Sequence, residues 1–498
     1  MKYKLEEITS LLKNPSKDDI ELIRKAFDFS QRVHEGQKRC SSEPYFVHPF
    51  ETARTLSRLQ MDSVTIAAGL LHDVCEDGLS ARLATKQASG IDEKILKKEF
   101  GNEIAFLVNG VTKLGTLKYR GEHGEKEKIE NLRKMFLAMA RDIRVIVIKL
   151  ADRLHNMQTL EYVPREKQKR IALETLELYA PLANRLGMGE IKGQLEDLAF
   201  PFVYPQEYKE TKELLNNKYQ QKETDLAKIK YKLIEELKKN GMKNFLINSR
   251  IKHLYSLFKK LRKPEINKDI DLVYDLIAFR IIVDTVEECY KVLGIIHNMW
   301  KPLPGRIKDY IAVSKPNGYQ SLHTTVFAEN GKITEIQIRT KEMHEEAEYG
   351  IAGHWVYDET GKGKKAWKLP PRLSWVNQLI EWQKKVSKSR DFLETLRFDF
   401  FQNRVFCFTP RGDVIDLPEG ATALDFAYAV HTEIGNHAIG AMVNNKFVSL
   451  DSILKNSDIV EIKTQKNKRP SRGWLKHTKT SLAKKEIKSA LKKRGGLQ

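Results

Sequence analysis

The sequence predicts a protein of several domains, in which an all-α part comes first, an α+β part follows and a small α/β part comes last. Its 498 residues suggest three or four domains. Apolar residues recur at helical spacing in the first half, for example at Ile23, Ala26 and Phe27. Runs with the length and composition of strands appear from residue 275 onward and again after residue 403.

The composition is typical of a soluble globular protein, with 41% hydrophobic and 31% charged residues. No run of about 18 apolar residues is present, so the sequence predicts neither a transmembrane span nor a membrane partner. The first residues carry acids and no apolar core, which argues against a secretory signal. The cysteines are scattered without a CxxC pair, which favours reduced thiols and a cytoplasmic location.

Positive charge is concentrated near the end of the sequence. The net charge is +20, and twelve Lys and Arg residues stand against one Glu between Lys466 and Arg494. Such a basic segment favours an anionic partner, most simply RNA. A solvated charged helix would give the same pattern, so both interpretations stay open.

The first candidate site follows the apolar run 64–71, which predicts a buried helix. Four ionisable residues come next, where a core would normally continue: His72, Asp73, Glu76 and Asp77. His72 and Glu76 are four residues apart, as are Asp73 and Asp77, so the members of each pair share a helix face. Burying such groups is costly unless something pairs them, as a divalent cation would. A solvated polar helix end, or a His paired with Asp alone, is the alternative.

Two further candidate ligands lie on other predicted helices. His48 immediately precedes a proline and is predicted at a helix start. Asp152 follows the apolar helical run that begins at Arg144. Helical bundles build metal sites from side chains of facing helices in this way. A bound metal would polarise a phosphoryl oxygen and activate a water, which Glu76 and Asp77 would orient or deprotonate.

These residues carry a family resemblance. His48, His72, Asp73 and Asp152 match the sparse H…HD…D pattern of HD phosphohydrolases. The segments around them resemble the hydrolase domain of the RelA/SpoT family: residues 43–45, 72–77, 110–114 and 150–157. The resemblance implies an all-α HD-type domain that uses Mn²⁺ at these four ligands to remove the 3′-pyrophosphate from (p)ppGpp.

The resemblance also implies a nucleotide pocket. Residues Arg39 and Ser41 would line it, and Asn156 and Thr159 would lie near the guanosine and ribose. The sequence departs from the usual family pattern at Cys40, Ser42, Gly78 and Gln158, and a short insertion falls near residues 80–90. Loss of a cation and a glycine near the pocket would weaken nucleotide binding. The ligand set is complete, however, so we expect an active hydrolase.

Residues 166–240 are charged and periodic, which predicts a connecting helical bundle that acts as a structural spacer. A basic helix is predicted next, over residues 250–260. Its residues Lys252, Ser256 and Lys260 recur every four positions and would form one face. Cations and a hydroxyl on one face suit a polyphosphate, although most basic helix faces are merely solvated.

Two acids lie on predicted strands of the α+β part. Asp275 begins a largely apolar run, and Glu335 lies on an alternating run that ends at Thr340. They could meet across a sheet as a carboxylate pair for Mg²⁺, as in nucleotidyltransferase-like sites. Two unrelated acids at strand edges would give the same pattern.

Residues 250–355 resemble the (p)ppGpp synthetase domain of the same family. The resemblance implies that Asp275 binds Mg²⁺ and that Glu335 is the general base and a second metal contact. It places Arg250 and Arg280 on the two faces of the ATP adenine, a role that suits guanidinium. The residues Lys252, Ser256 and Lys260 would contact the ATP phosphates.

The same resemblance implies an acceptor site for GDP or GTP. Tyr319 would stack on the guanine, with Lys315 and His323 nearby. Residues 306–309 have the basic RxKD form of bifunctional members. A pyrophosphoryl group would move from ATP to a 3′-hydroxyl of the acceptor.

The last hundred residues contain short strands, turns and a helix at residues 422–431. They resemble a TGS domain, a small ubiquitin-like α/β module, in which His431 would contact the 3′ end of uncharged tRNA. The zinc-finger-like and ACT modules of long family members have no counterpart in the sequence. The predicted domains are hydrolase (1–165), connecting bundle (166–240), synthetase (241–358), basic linker and helix (359–400), TGS (401–464) and basic helical tail (465–498).

Together these features predict a bifunctional stringent-response enzyme. One site would make (p)ppGpp from ATP and GDP or GTP, and the other would hydrolyse it to GDP or GTP and pyrophosphate. Uncharged tRNA and the ribosome are the expected partners of the TGS domain and basic tail. Two alternatives are a hydrolase whose synthetase-like domain is regulatory and an RNA-binding regulator.

Overall fold

A computed structural model describes residues 3–75, 93–115, 138, 141–315, 317–352, 404–456 and 458–492. The chain divides into two units, one formed by residues 1–118 and 134–380 and the other by residues 119–133 and 381–498. Glu76, Asp77, Gly78, the insertion near residues 80–90 and the linker at 359–400 lie outside the described residues.

The first unit begins with helices only, as the sequence predicts. Their bounds are α1 (Glu6–Thr9), α2 (Lys17–Val33), α3 (Val47–Arg58), α4 (Ser63–Leu71), α5 (Glu93–Gly115) and α6 (Arg144–Gln158). Ser16 and Asp19 form a capping box that starts α2. A side chain at Gly69 would lie 2.4 Å from Leu56 Cδ1, so the glycine lets α4 pack closely on α3. That close packing brings the end of α4 to the start of α3.

A second group of helices, here called the connecting bundle, follows. It consists of α7 (Arg165–Glu174), a π-helical turn (Thr175–Tyr179), α8 (Ala180–Arg185), α9 (Gly189–Val203) and the long α10 (Pro205–Lys239). The chain turns between α8 and α9 at Leu186, Gly187 and Met188. Short 3₁₀ turns at Leu160–Tyr162, Ile270–Leu272 and Glu329–Gly331 join neighbouring elements.

The α+β part of the first unit is built on a five-stranded mixed sheet. Its strands are β1 (Leu246–Ile251), β2 (Ile277–Val283), β3 (Lys308–Asp309), β4 (Leu322–Phe327) and β5 (Ile333–Thr340), in the order β1-β2-β5-β4-β3. Only β2 and β5 run parallel. The helices are α11 (Leu254–Leu261), α12 (Val286–Met299) and α13 (Lys341–Tyr349). Phe279 and Ile336 pack with Ile296 of α12 and Leu233 of α10 in one core.

One secondary-structure prediction here is wrong. The predicted helix over residues 250–260 begins only at Leu254, because Arg250 belongs to strand β1 and is opposite Ala278 of β2. Lys252 lies in the extended link between them, where its backbone N–H donates to the Leu276 carbonyl. Sheet pairing thus overrides the local helical periodicity.

The second unit has two small sheets and four helices among its described residues. Strands β6 (Arg404–Phe408) and β7 (Val414–Pro418) form one sheet, and β8 (Ala438–Val443), β9 (Lys446–Val448) and β10 (Val460–Thr464) form the other. The helices are α14 (Ala423–Val430), α15 (Thr432–His437), α16 (Trp474–His477) and α17 (Ser481–Lys492). The hairpin turn between β8 and β9 has Asn444 and Asn445 at positive φ angles of 49° and 65°, which are typical of such turns.

The basic tail packs on the TGS region. Ile487 and Leu491 of α17 are buried against Leu424 and Tyr428 of α14. The buried Asp425 carboxylate accepts hydrogen bonds from the backbone N–H groups of Lys479 and Thr480, which fixes the chain entering α17. Among the described helices, none is long and apolar enough to cross a membrane.

Candidate active sites

The four predicted ligands of the hydrolase site come together between α3, α4 and α6. His48 Nε2 lies 3.4 Å from Asp73 Oδ2 and 3.2 Å from Asp152 Oδ1. His72 Nε2 lies 3.2 Å from Asp73 Oδ1 and 3.9 Å from Asp152 Oδ1. The two Nε2 atoms are 3.1 Å apart. Imidazole and carboxylate donors directed at one point are a suitable set for a divalent cation.

Neighbouring groups orient these donors. His72 Nδ1 is 2.8 Å from the Gly69 carbonyl, to which its N–H donates, so Nε2 presents its lone pair to the cluster. The Tyr45 hydroxyl donates to Asp73 Oδ2 at 3.0 Å. Lys149 Nζ lies 2.6 Å from Asp152 Oδ2, which leaves Oδ1 directed at the histidines. Neither Tyr45 nor Lys149 was predicted from the sequence to have this role.

The electrostatics favour the neutral form of His48 and the charged forms of Asp73 and Asp152. Burial lowers the pKa of His48, and the nearby Asp152 only partly opposes it. Burial alone would raise the pKa of Asp152, but Lys149 and His48 outweigh burial and hold it well below its usual range. Neutral imidazole and ionised carboxylate are the forms that bind a metal.

The predicted nucleotide-pocket residues lie next to this cluster. Arg39 places Nη1 2.8 Å from His155 Nδ1 and donates from Nη2 to Asn156 Oδ1 at 2.8 Å. Asn156 in turn donates to Asp152 Oδ1 at 2.5 Å. Ser41 donates to Glu43 at 3.0 Å, and Thr159 donates to the His155 carbonyl at 3.2 Å.

His155 links the pocket to the ligands, because its Nδ1 also lies 2.8 Å from His48 Nδ1. One signal for it was present in the sequence, since His155 is three residues after Asp152 and therefore shares its helix face. Ser42 adopts a φ of 66°, which explains why glycine is usual there. A serine in that conformation costs about 1 kcal/mol of strain.

In the predicted synthetase region, Asp275 lies in a turn just before β2 and not, as was predicted, on the strand. Two predicted phosphate ligands hold its carboxylate. Lys252 Nζ is 2.7 Å from Oδ2, and Lys260 Nζ is 2.7 Å from Oδ1. Burial works against the charged form, but the two lysines prevail and lower the pKa of Asp275 to about 2. The third predicted phosphate ligand, Ser256, faces away and donates to the buried Glu196 of the bundle at 3.4 Å.

Glu335 belongs to a hydrogen-bonded row of side chains on β5 and β4. His323 Nδ1 lies 3.1 Å from Glu335 Oε1, and Gln337 donates to the same oxygen at 3.0 Å. The Tyr319 hydroxyl is 2.8 Å from His323 Nε2. Lys315 Nζ lies 4.7 Å from the centre of the Tyr319 ring, and burial lowers the pKa of Lys315 to about 8. The predicted acceptor residues are therefore neighbours.

Arg250 and Arg280 lie on one face of two paired strands. Asn248 is opposite Arg280, and Arg250 is opposite Ala278, so the two arginines are two positions apart across the sheet. Arg280 Nη1 makes an ion pair of 2.9 Å with Glu348 of α13. In the second unit, His431 is exposed, and its Nδ1 accepts a hydrogen bond from the Glu433 N–H, which caps α15.

Three family models match the chain: an HD domain at residues 26–189, the region found in RelA/SpoT proteins at 249–362 and a TGS domain at 405–464. A guanosine-3′,5′-bis(diphosphate) 3′-pyrophosphohydrolase of Aquifex aeolicus is 45% identical over 490 residues, which cover 98% of this chain and 67% of that protein. The chain belongs to the RelA/SpoT family. The resemblance found in the sequence is thus confirmed, as is the predicted fold class.

Other relatives in the RelA/SpoT family bear different names. A GTP pyrophosphokinase of Myxococcus xanthus is 47% identical over 475 residues, covering 95% of this chain and 61% of that protein. A bifunctional (p)ppGpp synthase/hydrolase RelA of Mycobacterium tuberculosis is 42% identical over 480 residues, covering 95% and 62% respectively. The chain therefore spans about three fifths of the length of these two relatives.

Proposed function

We propose that this chain is a bifunctional stringent-response enzyme with separate sites for making and hydrolysing (p)ppGpp. The observation that supports the proposal most strongly is that two separate sets of candidate side chains, one suited to each activity, lie in the same unit. One set is the buried cluster of two histidines and two aspartates. The other is Asp275 together with the hydrogen-bonded side chains around Glu335. The names of the relatives in Aquifex aeolicus and Mycobacterium tuberculosis agree with both activities.

At the hydrolase site, Mn²⁺ is the proposed metal, held by His48, His72, Asp73 and Asp152. When bound, it would supply an activated water and polarise a phosphoryl oxygen. Arg39 and Asn156, which already contact each other, would bind the nucleotide, with Ser41 and Thr159 at the edge of the pocket. Glu76 and Asp77 are proposed to orient the attacking water and accept its proton.

At the synthetase site, Arg250 and Arg280 are proposed to hold the adenine of ATP between them. Lys252 and Lys260 would bind its phosphates, joined by Ser256 after it leaves Glu196. Asp275 and Glu335 have the oxygen donors that suit Mg²⁺, which would neutralise charge on the phosphates when bound.

The acceptor, GDP or GTP, would stack on Tyr319 beside Lys315 and His323. Glu335 would take the proton of its 3′-hydroxyl, whose oxygen forms a bond to the β-phosphorus of ATP as the bond between the α- and β-phosphoryl groups breaks and AMP leaves. His323 and Gln337 hold the Glu335 carboxylate for this role.

The experiment that tests both activities uses the purified full chain. In one assay, ppGpp is supplied with Mn²⁺, with and without a chelator, and the products are identified. In the other, ATP and GDP are supplied with Mg²⁺. We expect GDP and pyrophosphate in the first assay, lost on chelation, and ppGpp and AMP in the second. Hydrolysis without synthesis would leave a monofunctional hydrolase, and failure of both assays would refute the proposal.

The second unit is proposed to contact uncharged tRNA and the ribosome in the cytoplasm. His431 is exposed there, and α17 presents Lys485, Lys488 and Lys492 on its exposed face. Binding through such lysines should weaken steeply with salt, because phosphate contacts release counterions. Tight, salt-dependent tRNA binding with both catalytic assays silent would instead favour an RNA-binding regulator.

A further inference from the structure

Two arginines of the synthetase sheet share a single carboxylate oxygen. Glu348 Oε1 lies 2.9 Å from Arg280 Nη1 and 3.1 Å from Arg339 Nη2. Arg339 is fully buried on β5, opposite Ile282 of β2, and Arg280 is opposite Gln337. The two guanidinium groups are therefore neighbours on one face, and Glu348 is the acid placed between them.

The arginines depend on this acid because they have few other partners. Within the described residues, Arg280 Nε and Arg339 Nε and Nη1 have no hydrogen-bond partner. Burial lowers the pKa of Arg339 to about 10, so the group stays charged at neutral pH. Two buried cations side by side repel each other, and removing the shared anion would let Arg280 move away from Arg339.

Glu348 is itself fixed by the end of its helix. Gly350, two residues after Glu348, ends α13 with a φ of 61°. The N–H of Ile351 donates to the Leu186 carbonyl at 3.0 Å. A side chain at Gly350 would lie 2.3 Å from the Leu186 oxygen and 2.5 Å from the Gly187 carbonyl carbon. The end of α13 therefore docks at backbone distance on the turn between α8 and α9 of the connecting bundle.

We propose that Glu348 is a positioning residue of the synthetase site, which holds the guanidinium of Arg280 for the adenine of ATP and is itself held by the docking of Gly350 and Ile351 on the connecting bundle. This inference rests on the proposed synthetase function. The bundle is then more than a spacer, because its turn at residues 186–188 sets the position of an ATP-binding side chain.

The test is equilibrium binding of a non-hydrolysable ATP analogue and of GDP, measured by calorimetry with Mg²⁺ on the full chain. Glu348→Gln removes the charge but keeps the size of the side chain. We expect the Kd for the ATP analogue to rise at least about tenfold and the Kd for GDP to stay within about twofold. A purely structural role would weaken both ligands equally, and that outcome, like an unchanged ATP affinity, would overturn the proposal.

The matched control is Glu345→Gln, one turn earlier on the same helix. Glu345 makes an exposed ion pair of 2.8 Å with Lys13, so its loss should leave both affinities unchanged. If Glu348→Gln does not fold, Glu348→Asp decides the question. It keeps the charge but withdraws the carboxylate, and we again expect selective loss of ATP affinity.

The docking is tested by Gly350→Ala, a variant that keeps the glutamate at position 348 but disturbs the end of its helix. We expect it to weaken the ATP analogue at least about threefold, because the added methyl group cannot fit against Leu186. An unchanged affinity would overturn the docking half of the proposal. If the unaltered chain neither binds the ATP analogue nor makes ppGpp, the synthetase function itself fails. If it does both and Glu348→Gln has no effect, only the role of Glu348 fails.

Discussion

The two candidate catalytic regions place lysines against aspartates in opposite ways. In the hydrolase cluster, Lys149 contacts only Oδ2 of Asp152, and Oδ1 stays directed at His48 and His72. In the synthetase region, Lys252 and Lys260 take both oxygens of Asp275. The first arrangement is ready to receive a cation, whereas the second is already neutralised by the protein's own cations. The position of a lysine therefore decides whether a carboxylate can bind a metal before the substrate arrives.

The strongest test of this difference between the sites is to replace one aspartate in each of them. Asp73→Ala should lower Mn²⁺-dependent hydrolysis of ppGpp at least about a hundredfold, because it deletes a ligand, and leave synthesis within about twofold. Asp275→Ala should do the reverse. The two rates are measured on each purified variant, with circular dichroism to show that the fold is kept. Loss of both activities in either variant would mean that the sites are not separate.

The next test concerns the order in which metals bind. Without nucleotide, we expect Mn²⁺ to bind only at the hydrolase cluster, since the lysines occupy Asp275. Adding a non-hydrolysable ATP analogue should give a second bound ion, because its phosphates attract Lys252 and Lys260 and free the carboxylate. Counting bound Mn²⁺ by electron paramagnetic resonance measures this directly. Two equally tight ions in the absence of nucleotide would contradict the difference between the sites.

A smaller effect is expected where a hydroxyl positions a ligand. Tyr45→Phe removes the hydrogen bond to Asp73, so Mn²⁺ affinity at the hydrolase cluster should fall about tenfold. Tyr162→Phe is the matched control, because Tyr162 is 52% exposed. Calorimetric titration with Mn²⁺ compares the two variants. Equal affinities would show that Asp73 is held without Tyr45.

The smallest expected effect is a pH dependence of GDP affinity, which follows from the different pKa shifts of Lys149 and Lys315. Asp152 raises the pKa of Lys149 above its usual range, so this lysine stays charged, whereas burial lowers that of Lys315 to about 8. Below pH 8 Lys315 is mostly protonated, and it loses its charge as the pH rises through that value. Affinity for GDP should therefore fall by up to about tenfold between pH 7 and pH 9.

Lys315→Arg provides the control for that pH dependence, because arginine keeps its charge throughout this range. Its GDP affinity should be nearly flat from pH 7 to pH 9 in the same calorimetric experiment. A slope that persists in Lys315→Arg would assign the titration to another group.

Much of the fold could be predicted because its signals are local. The helical spacing around Ile23 and the alternation from Thr334 to Thr340 each depend on neighbours in sequence, and the structure has a helix and a strand there. The helix predicted from residue 250 was wrong for the opposite reason. Pairing of β1 with β2 joins residues about 30 positions apart, and the local hydrophobic periodicity cannot predict such a pairing.

The candidate sites divide in the same way. The four candidate ligands of the proposed hydrolase site were predicted from residue type, spacing and family resemblance, and the structure brings their side chains together. The contacts of Ser256 with Glu196, of His155 with His48 and of Glu348 with two arginines were not foreseen. Each joins distant segments, and such contacts depend on how helices and strands pack.

By itself, the sequence determined the family, and it predicted the order of the domains and the side chains that bind metals or phosphates, because these depend on residue type and local spacing. Only the tertiary structure decided which charges neutralise each other. Lys149 leaves one oxygen of Asp152 directed at the histidines, while Lys252 and Lys260 together cover Asp275. Electrostatic interactions depend on distances of a few ångströms between side chains, and those distances are set by the packing of the whole unit.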